Sequence, residues 1–234
     1  FMLPPVGPAP RADLAETLLH WMQDERGVEQ PEIRRADQRL VDELEESEAF
    51  EIQATRDQFD YVYKSEDLGE LEGRKYSAKR NQISQFERYY EYRYEELSGP
   101  LLPECLELAE VWCEKRMCED DISLSHEFSG IEDTLNHFDQ LEISGGALVV
   151  DGKVQAFSLG EKMNADMGVV HIEKANPDYK GIYPMMTQSY SAERWMGDVT
   201  FINREQDLGI RGLRRAKESY YPDHMVRKYN VRLA

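Results

Sequence analysis

The chain is poor in cysteine, in basic residues and in long apolar runs, and each shortage closes off a class of protein. Its three cysteines, Cys105, Cys113 and Cys118, are odd in number and form no Cys-x-x-Cys pattern. Cys105 and Cys113 fall on the apolar stripe of a helical segment, which predicts buried free thiols there rather than metal ligands or nucleophiles. No apolar run approaches the ~18 residues that a membrane span needs, and no signal-peptide pattern opens the chain. A soluble, cytoplasmic protein without membrane insertion is expected, with no metal. The opening Phe-Met-Leu-Pro suggests that the first element is incomplete. Lys and Arg number 28 against 46 Asp and Glu, a formal charge of -18. That balance argues against wholesale nucleic-acid binding. There is also no short repeat and no low-complexity tract.

What remains is a globular composition of 234 residues, 41% apolar and 10% aromatic, enough for one large domain or two small ones. The charge is unevenly spread. Residues 12–60 hold 15 acids and 5 bases, and residues 104–142 hold 12 acids and 2 bases. By contrast, "GRKYSAKRN" (73–81) has four bases and no acid, and residues 203–234 have eight bases and four acids. Positive charge focused into two short places suits a phosphate-bearing ligand of limited size better than a long duplex.

Leu14, Leu18, Trp21 and Met22 share one face of a helix over 13–26 that ends at Gly27. Residues 35–48 read as an acidic surface helix with Leu40, Val41 and Leu44 as its apolar stripe. "DYVY" (60–63) is a strand, and Ser65 can cap a short helix after it. Residues 79–90 look helical and 90–97 alternate like an edge strand. "SGPLLP" (98–103) is the best linker, dividing the chain into domains 1–98 and 99–234. Cys105, Leu108, Ala109, Trp112 and Cys113 then mark one amphipathic helix, and Ile131, Leu135 and Phe138 a second. Two strands around Asp151-Gly152 form a hairpin. A strand (167–175), a helix (181–195) with Pro184 in its first turn, a strand (198–203), the helix "RGLRRAKESY" and a closing strand "HMVRKYNVRL" complete a mixed α/β layer fold.

Alternation places Val169, His171 and Glu173 on one face of the 167–175 strand and Val170, Ile172 and Lys174 on the other. His171 and Glu173 make a candidate acid–base pair, or else a solvated pair on a half-buried strand. In "KANPDYKGIY", Lys180 and Gly181 sit at a strand–helix turn that can offer backbone N–H groups to a phosphate, or that is an ordinary tight connection. "NREQDLGIRGLRRAKESYYP" (203–222) repeats the arrangement. Asn203 ends a strand, Gly209 and Gly212 loosen the connection, and Arg211, Arg214 and Lys217 make a cationic row on the next helix. Glu205 and Asp207 precede the row, placed to neutralise it or to accept a proton. Lys75, Lys79 and Arg80 are the further candidates for phosphate.

"HIEKANPDYKGIY", "NREQDLGIRGLRRAKESYYP" and "RKY" resemble the C-terminal domain of bacterial phosphatidylglycerol lysyltransferases. They resemble more closely a stand-alone soluble family of unknown function grouped with that domain, which "DYVYKSEDLGELEGRKYSAKRNQISQF" also matches. The resemblance covers most of residues 55–230. It implies tandem GCN5-related N-acyltransferase-like domains, a mixed sheet flanked by helices, and kinship with the Fem-type aminoacyltransferases. It implies a donor whose phosphates lie at Lys180–Gly181, with Lys217 and Arg214 beside the ester under attack and Glu173 or Glu205 as the base. The expected reaction moves an aminoacyl group from the acceptor end of aminoacyl-tRNA to an amine or hydroxyl of a small-molecule or peptide acceptor. No cofactor is then required. A CoA thioester is the alternative donor, although the turn at 181 has one glycine where acetyltransferases have two or three. A catalytically inactive binding protein of the same fold is the third reading.

Overall fold

The computed structural model describes residues 1–234, apart from the side chain of Glu119. Contacts divide the chain into two compact units, Phe1–Val62 with Glu205–Ala234, and Tyr63–Arg204. The segment expected to link two domains, 98–103, lies inside the second unit as a turn running into a helix. Leu101 explains this: it is 8% exposed and packs with Cys105, an apolar anchor that the Gly-Pro composition around it hides.

In the first unit, α1 (Ala12–Asp24), β1 (Ile33–Ala36), α2 (Gln38–Leu44) and β2 (Phe50–Ala54) come before β3 (Asp60–Lys64), the strand along which the chain passes into the second unit. After the chain returns, α8 (Arg211–Glu218), β9 (His224–Val226) and β10 (Tyr229–Leu233) follow. β10 lies between β1 and β2 in a three-stranded antiparallel sheet. Its core joins Ala15, Leu19, Ile33, Leu40, Leu44 and Val231. α1 therefore docks through Ala15, Leu19 and Met22, while Leu14 and Trp21 of the expected stripe stay exposed. Small Ala15 lets the helix approach where Leu14 would hold it off. β1 and β2 escaped the sequence because "IRRA" and "FEIQA" are short and half polar. The single closing strand is in fact two. β9 pairs with Asp60–Val62 of β3, and β10 joins the other sheet.

The second unit holds α3 (Ser65–Glu70), α4 (Ser77–Tyr89), β4 (Tyr92–Glu96), α5 (Leu102–Arg116) and α6 (Ile122–Asn136). It continues with β5 (Ser144–Val150), β6 (Lys153–Lys162), β7 (Met167–Ala175), α7 (Ile182–Tyr190) and β8 (Phe201–Asn203). The strands run in the order β4-β5-β6-β7-β8, antiparallel except for the parallel pair β7–β8. Asp151 and Gly152 both take positive φ, the conformation of a two-residue hairpin turn. On one face, Cys105, Leu108, Ile131 and Leu135 of α5 and α6 pack on Ala147, Val149, Phe157 and Leu159. Ser65 does not cap α3; its hydroxyl donates to the Val199 carbonyl.

Cys105 is a buried free thiol as expected, and burial pushes it up to about 12. Cys113 is not free. Met117, in the left-handed region, ends α5 and turns the chain so that Cys118 reaches back to form a disulfide with Cys113. The helix expected over 181–195 stops at Tyr190 and widens into a π-type turn, Ser191–Trp195. That turn lays the Trp195 ring, wholly buried, over Gly168 and Gly160. A Cβ on Gly168 would come within 2.6 Å of the ring. Gly168→Ala is therefore expected to destabilise the protein by about 1–3 kcal/mol through overpacking. The measurement is the urea midpoint, compared with Gly152→Ala, where strain at positive φ and not a clash is the cost.

Candidate functional site

The second unit's charged cluster begins with a break in the strand ladder. β6 and β7 shift register by one residue between the Leu159–Ile172 and Gly160–Val170 pairs. His171 is the extra residue, a β-bulge, and side chains beyond it change face. The sequence alternation therefore fails at this point. Gly168 abuts Trp195, and Glu173 accepts from Thr187 of α7, so these two share a face. Ile172 packs into the α5–α6 core, and Lys174 Nζ lies 3.4 Å from the centroid of the Trp112 ring of α5.

His171 is thereby separated from Glu173. It is exposed and its Nε2 lies 3.3 Å from Glu161 Oε1. The carboxylate of Glu173 instead accepts two contacts from Thr187 Oγ1 at 3.1 Å and one from Arg204 Nη2 at 3.0 Å. The ion pair is secluded, with side-chain exposures of 12% for Arg204 and 14% for Glu173. Lys79 of α4 completes the cluster. Burial pushes its ammonium down, Arg204 pushes it further and Glu173 opposes them, leaving it at about 8. Ser158 is paired with Glu173 across the ladder, wholly buried, and its hydroxyl has no hydrogen-bond partner among the described residues.

The β7–β8 register runs only from Met167–Phe201 to Val169–Asn203, where buried Asn203 ends β8. β7 continues to Ala175 past that end, carrying Glu173, while Arg204 is the first residue after β8. At the strand–helix turn Lys180 is exposed. Gly181 has φ +86 at the start of α7, and a Cβ there would lie 2.3 Å from the Gln82 carbonyl of α4. The glycine is thus explained by close packing of α4 on α7, which also brings Lys79 toward Glu173. Two other bases of "GRKYSAKRN" serve locally. Lys75 pairs with Asp67 and sits on the Tyr76 ring, and Arg80 donates to the Leu71 and Gly73 carbonyls.

The first unit gathers the other candidates around a carboxylate that the sequence argument left in a minor role. Asp207 is 0% exposed. It accepts from Tyr61 Oη at 2.6 Å, Arg56 Nη1 at 3.1 Å, Arg214 Nε at 2.8 Å and the Gly209 N–H at 2.8 Å. Burial pushes this carboxyl up, but the hydrogen bonds from Arg214, Tyr61 and Gly209 outweigh it and hold it far below the usual carboxylate range. Arg214 also binds Asp57. Lys217, 9% exposed, donates to the carbonyls of Glu205 and Gln206. Glu205 is held there at positive φ. Gly209 likewise does not loosen the connection: its φ is +75 and a Cβ would meet the Asp57 carboxylate at 3.0 Å. Of the expected cationic row, Arg211 alone stays exposed at the helix start, while Arg214 and Lys217 bind protein groups.

Glu173 and Lys79 are thus together in one unit and Glu205, Arg214 and Lys217 in the other. Arg204, Thr187, Ser158, Tyr61 and Arg56 were missed. Only Arg204 carried a signal, as the base directly after the strand-ending Asn203.

A mixed sheet with helices on both faces, its strands antiparallel but for the β7–β8 pair, is a GCN5-related acyltransferase-like fold. FemX shares it, with 11% identity, a TM-score of 0.52 and coverage of 96% of this chain and 78% of that one. Within that class the chain belongs to the phosphatidylglycerol lysyltransferase, C-terminal family, whose sequence profile matches residues 1–232. It is similar to a conserved protein of unknown function from Bacteroides thetaiotaomicron VPI-5482. That likeness has 32% identity, a TM-score of 0.89 and coverage of 99% of this chain and 78% of that one. L-PGS from Bacillus licheniformis is similar in fold, at 15% identity and a TM-score of 0.63, over 99% of this chain and 76% of that one. No curated protein matches by sequence. No helix among the described residues is long and apolar enough to cross a membrane.

The Asp207 network predicts an acid limb in stability. A carboxyl depressed in the folded state contributes stability above its unfolded value, near 4, and loses it as pH falls further. Asp207→Asn is expected to cost about 1–3 kcal/mol at pH 7, because it removes the charge on which part-exposed Arg56 and Arg214 and the Tyr61 hydroxyl converge. It is also expected to flatten the fall in stability below pH 4, as read from urea unfolding at pH 7 and at pH 3.

Proposed function

We propose that the protein is an aminoacyltransferase that moves an aminoacyl group from the acceptor end of aminoacyl-tRNA to an amine or hydroxyl acceptor. The observation that carries this is the Glu173 carboxylate, oriented by Thr187 and Arg204 beside Lys79, where β7 runs past the end of β8. Family membership supports the reaction class.

In this reading the acceptor nitrogen or oxygen attacks the carbonyl carbon of the aminoacyl ester while Glu173 takes its proton. The carbonyl oxygen becomes an oxyanion, and protonated Lys79 donates to it. The intermediate collapses by breaking the bond to the ribose oxygen, and Glu173 returns the proton to that leaving hydroxyl. Thr187 and Arg204 act as positioning residues for the carboxylate. Lys180, exposed at the turn before α7, contacts a donor phosphate. Secluding the cluster strengthens each of these charge interactions relative to water.

The test incubates the protein with a mixture of labelled aminoacyl-tRNAs and a cell extract filtered to retain small molecules and peptides. Label is expected to leave tRNA for a stable product, and acyl-CoA donors under the same conditions are expected to release no thiol. Thiol release without transfer from tRNA would overturn the donor, and neither activity would overturn the enzyme. Glu173→Gln is expected to slow transfer by ~10²–10⁴-fold, the usual worth of a positioned base. Because Lys79 acts protonated and sits at about 8, the rate is expected to fall as pH rises through 8. In Lys79→Arg that fall should move to higher pH.

A further inference from the structure

Where α5 ends, the Cys113–Cys118 disulfide joins its last turn to the segment that leads into α6. The two cysteines are five positions apart. Stabilisation by a disulfide grows with the loop it closes, so a bond this short is a poor staple for the whole fold. Its effect is local. Met117, between the cysteines, is 67% exposed and has a φ of 53°, a conformation that a residue with a side chain takes where its surroundings impose it. Just past Cys118, the Asp121 carboxylate accepts from the N–H groups of Ser123 and Leu124 and starts α6. Cys105 stands apart, wholly buried in the α5–α6 core, and does not compete for exchange.

The bond lies between the two walls that receive Lys174. Trp112, next to Cys113, holds its ring centroid 3.4 Å from Lys174 Nζ, and Glu127 of α6 takes the same ammonium at 3.0 Å. Lys115 pairs with Asp178, in the turn after β7, at 2.9 Å. Lys174 is 5% exposed, and a buried ammonium keeps its place only while its partners stay. Past Val169, β7 has lost β8 and pairs with β6 alone as far as Ala175. The α5–α6 contact is therefore a main support of the strand end that carries Glu173 and Lys174.

We propose that Cys113 and Cys118 form a thiol–disulfide switch that sets how firmly the end of β7 is held. Its consequence for aminoacyl transfer rests on the reading of Glu173 given above. Cys113 is half-buried and Cys118 is 3% exposed, so a dithiol reductant enters at Cys113. One thiolate of the reductant attacks the Cys113 sulfur; the bond to Cys118 breaks, and Cys118 leaves as a thiolate and takes up a proton. The second thiolate of the reductant attacks the reductant sulfur now bound to Cys113, and Cys113 leaves and is protonated in turn. The protein gains two electrons and two protons, and the reductant becomes a disulfide. With the bond open, Met117 relaxes, the last turn of α5 frays and Trp112 draws away from Lys174.

The test uses the whole chain, oxidised with glutathione disulfide or reduced with dithiothreitol. Alkylation in denaturant is expected to find one thiol in the first state and three in the second. Hydrogen exchange is then followed by mass spectrometry. Reduction is expected to speed exchange by ~10-fold or more in both 112–118 and 172–178, as local opening does, and to leave the 147–157 hairpin unchanged. Cys113→Ser with Cys118→Ser is expected to exchange at the reduced rate under both conditions. The proposal is overturned if glutathione disulfide does not restore the one-thiol state, or if faster exchange stays within 112–118. It is equally overturned if all three segments speed alike, which would make the bond an ordinary staple. No donor is present in these measurements, so a chain that passes them and transfers nothing overturns the reading of Glu173 and not the switch.

Discussion

Opposite Leu159 and Gly160, β7 carries His171 as a residue with no rung of its own, and every side chain beyond it changes face. The candidate site depends on that one insertion. With an unbroken ladder Glu173 would point to the α5–α6 face, on the side of Phe157 and Leu159. With the bulge it meets Thr187 and Arg204, and Lys174 is the residue sent to the other side. Lys174 is tolerated there, at 5% exposure, because Trp112 and Glu127 receive it. One displaced residue thus sets two buried charges, each with a partner on its own face.

Much of the fold was legible because apolar spacing reports burial directly. α5, α6, the hairpin at Asp151-Gly152 and the strand–helix–strand run from β7 to β8 follow from it. The errors occur where spacing carries no information. "IRRA" and "FEIQA" are strands through backbone pairing with β10, which a half-polar run does not announce. Leu101 sits in a segment whose glycine and prolines read as linker. Cys118 meets Cys113 because Met117 turns left-handed, a conformation that its side chain does not advertise.

The site was legible by residue type and opaque in its pairing. Glu173 was singled out as a candidate base and Lys79 as a candidate phosphate ligand, in two separate segments. Their meeting requires the bulge, the short β8 and the backbone contact of α4 with α7. The 203–222 stretch shows the reverse case. Its cations were read as a surface row because nothing in the sequence says that Asp207 is wholly buried. A buried carboxylate of that kind draws guanidinium groups inward, so Arg56 and Arg214 bind the protein's own charge. Focused positive charge in a sequence is therefore only an upper limit on the charge available to a ligand.

The contact of Gly181 with the Gln82 carbonyl has a mechanical meaning as well. Side chains between two helices act as springs, since they change rotamer and let the helices drift by fractions of an ångström. Backbone against backbone acts as a hard stop. Lys79 lies three residues before Gln82 on the same rigid helix, so its distance from Glu173 is gauged by an interface with almost no compliance. A cluster built this way keeps its spacing through thermal motion without needing a ligand to tighten it, at the cost of admitting no larger residue at position 181.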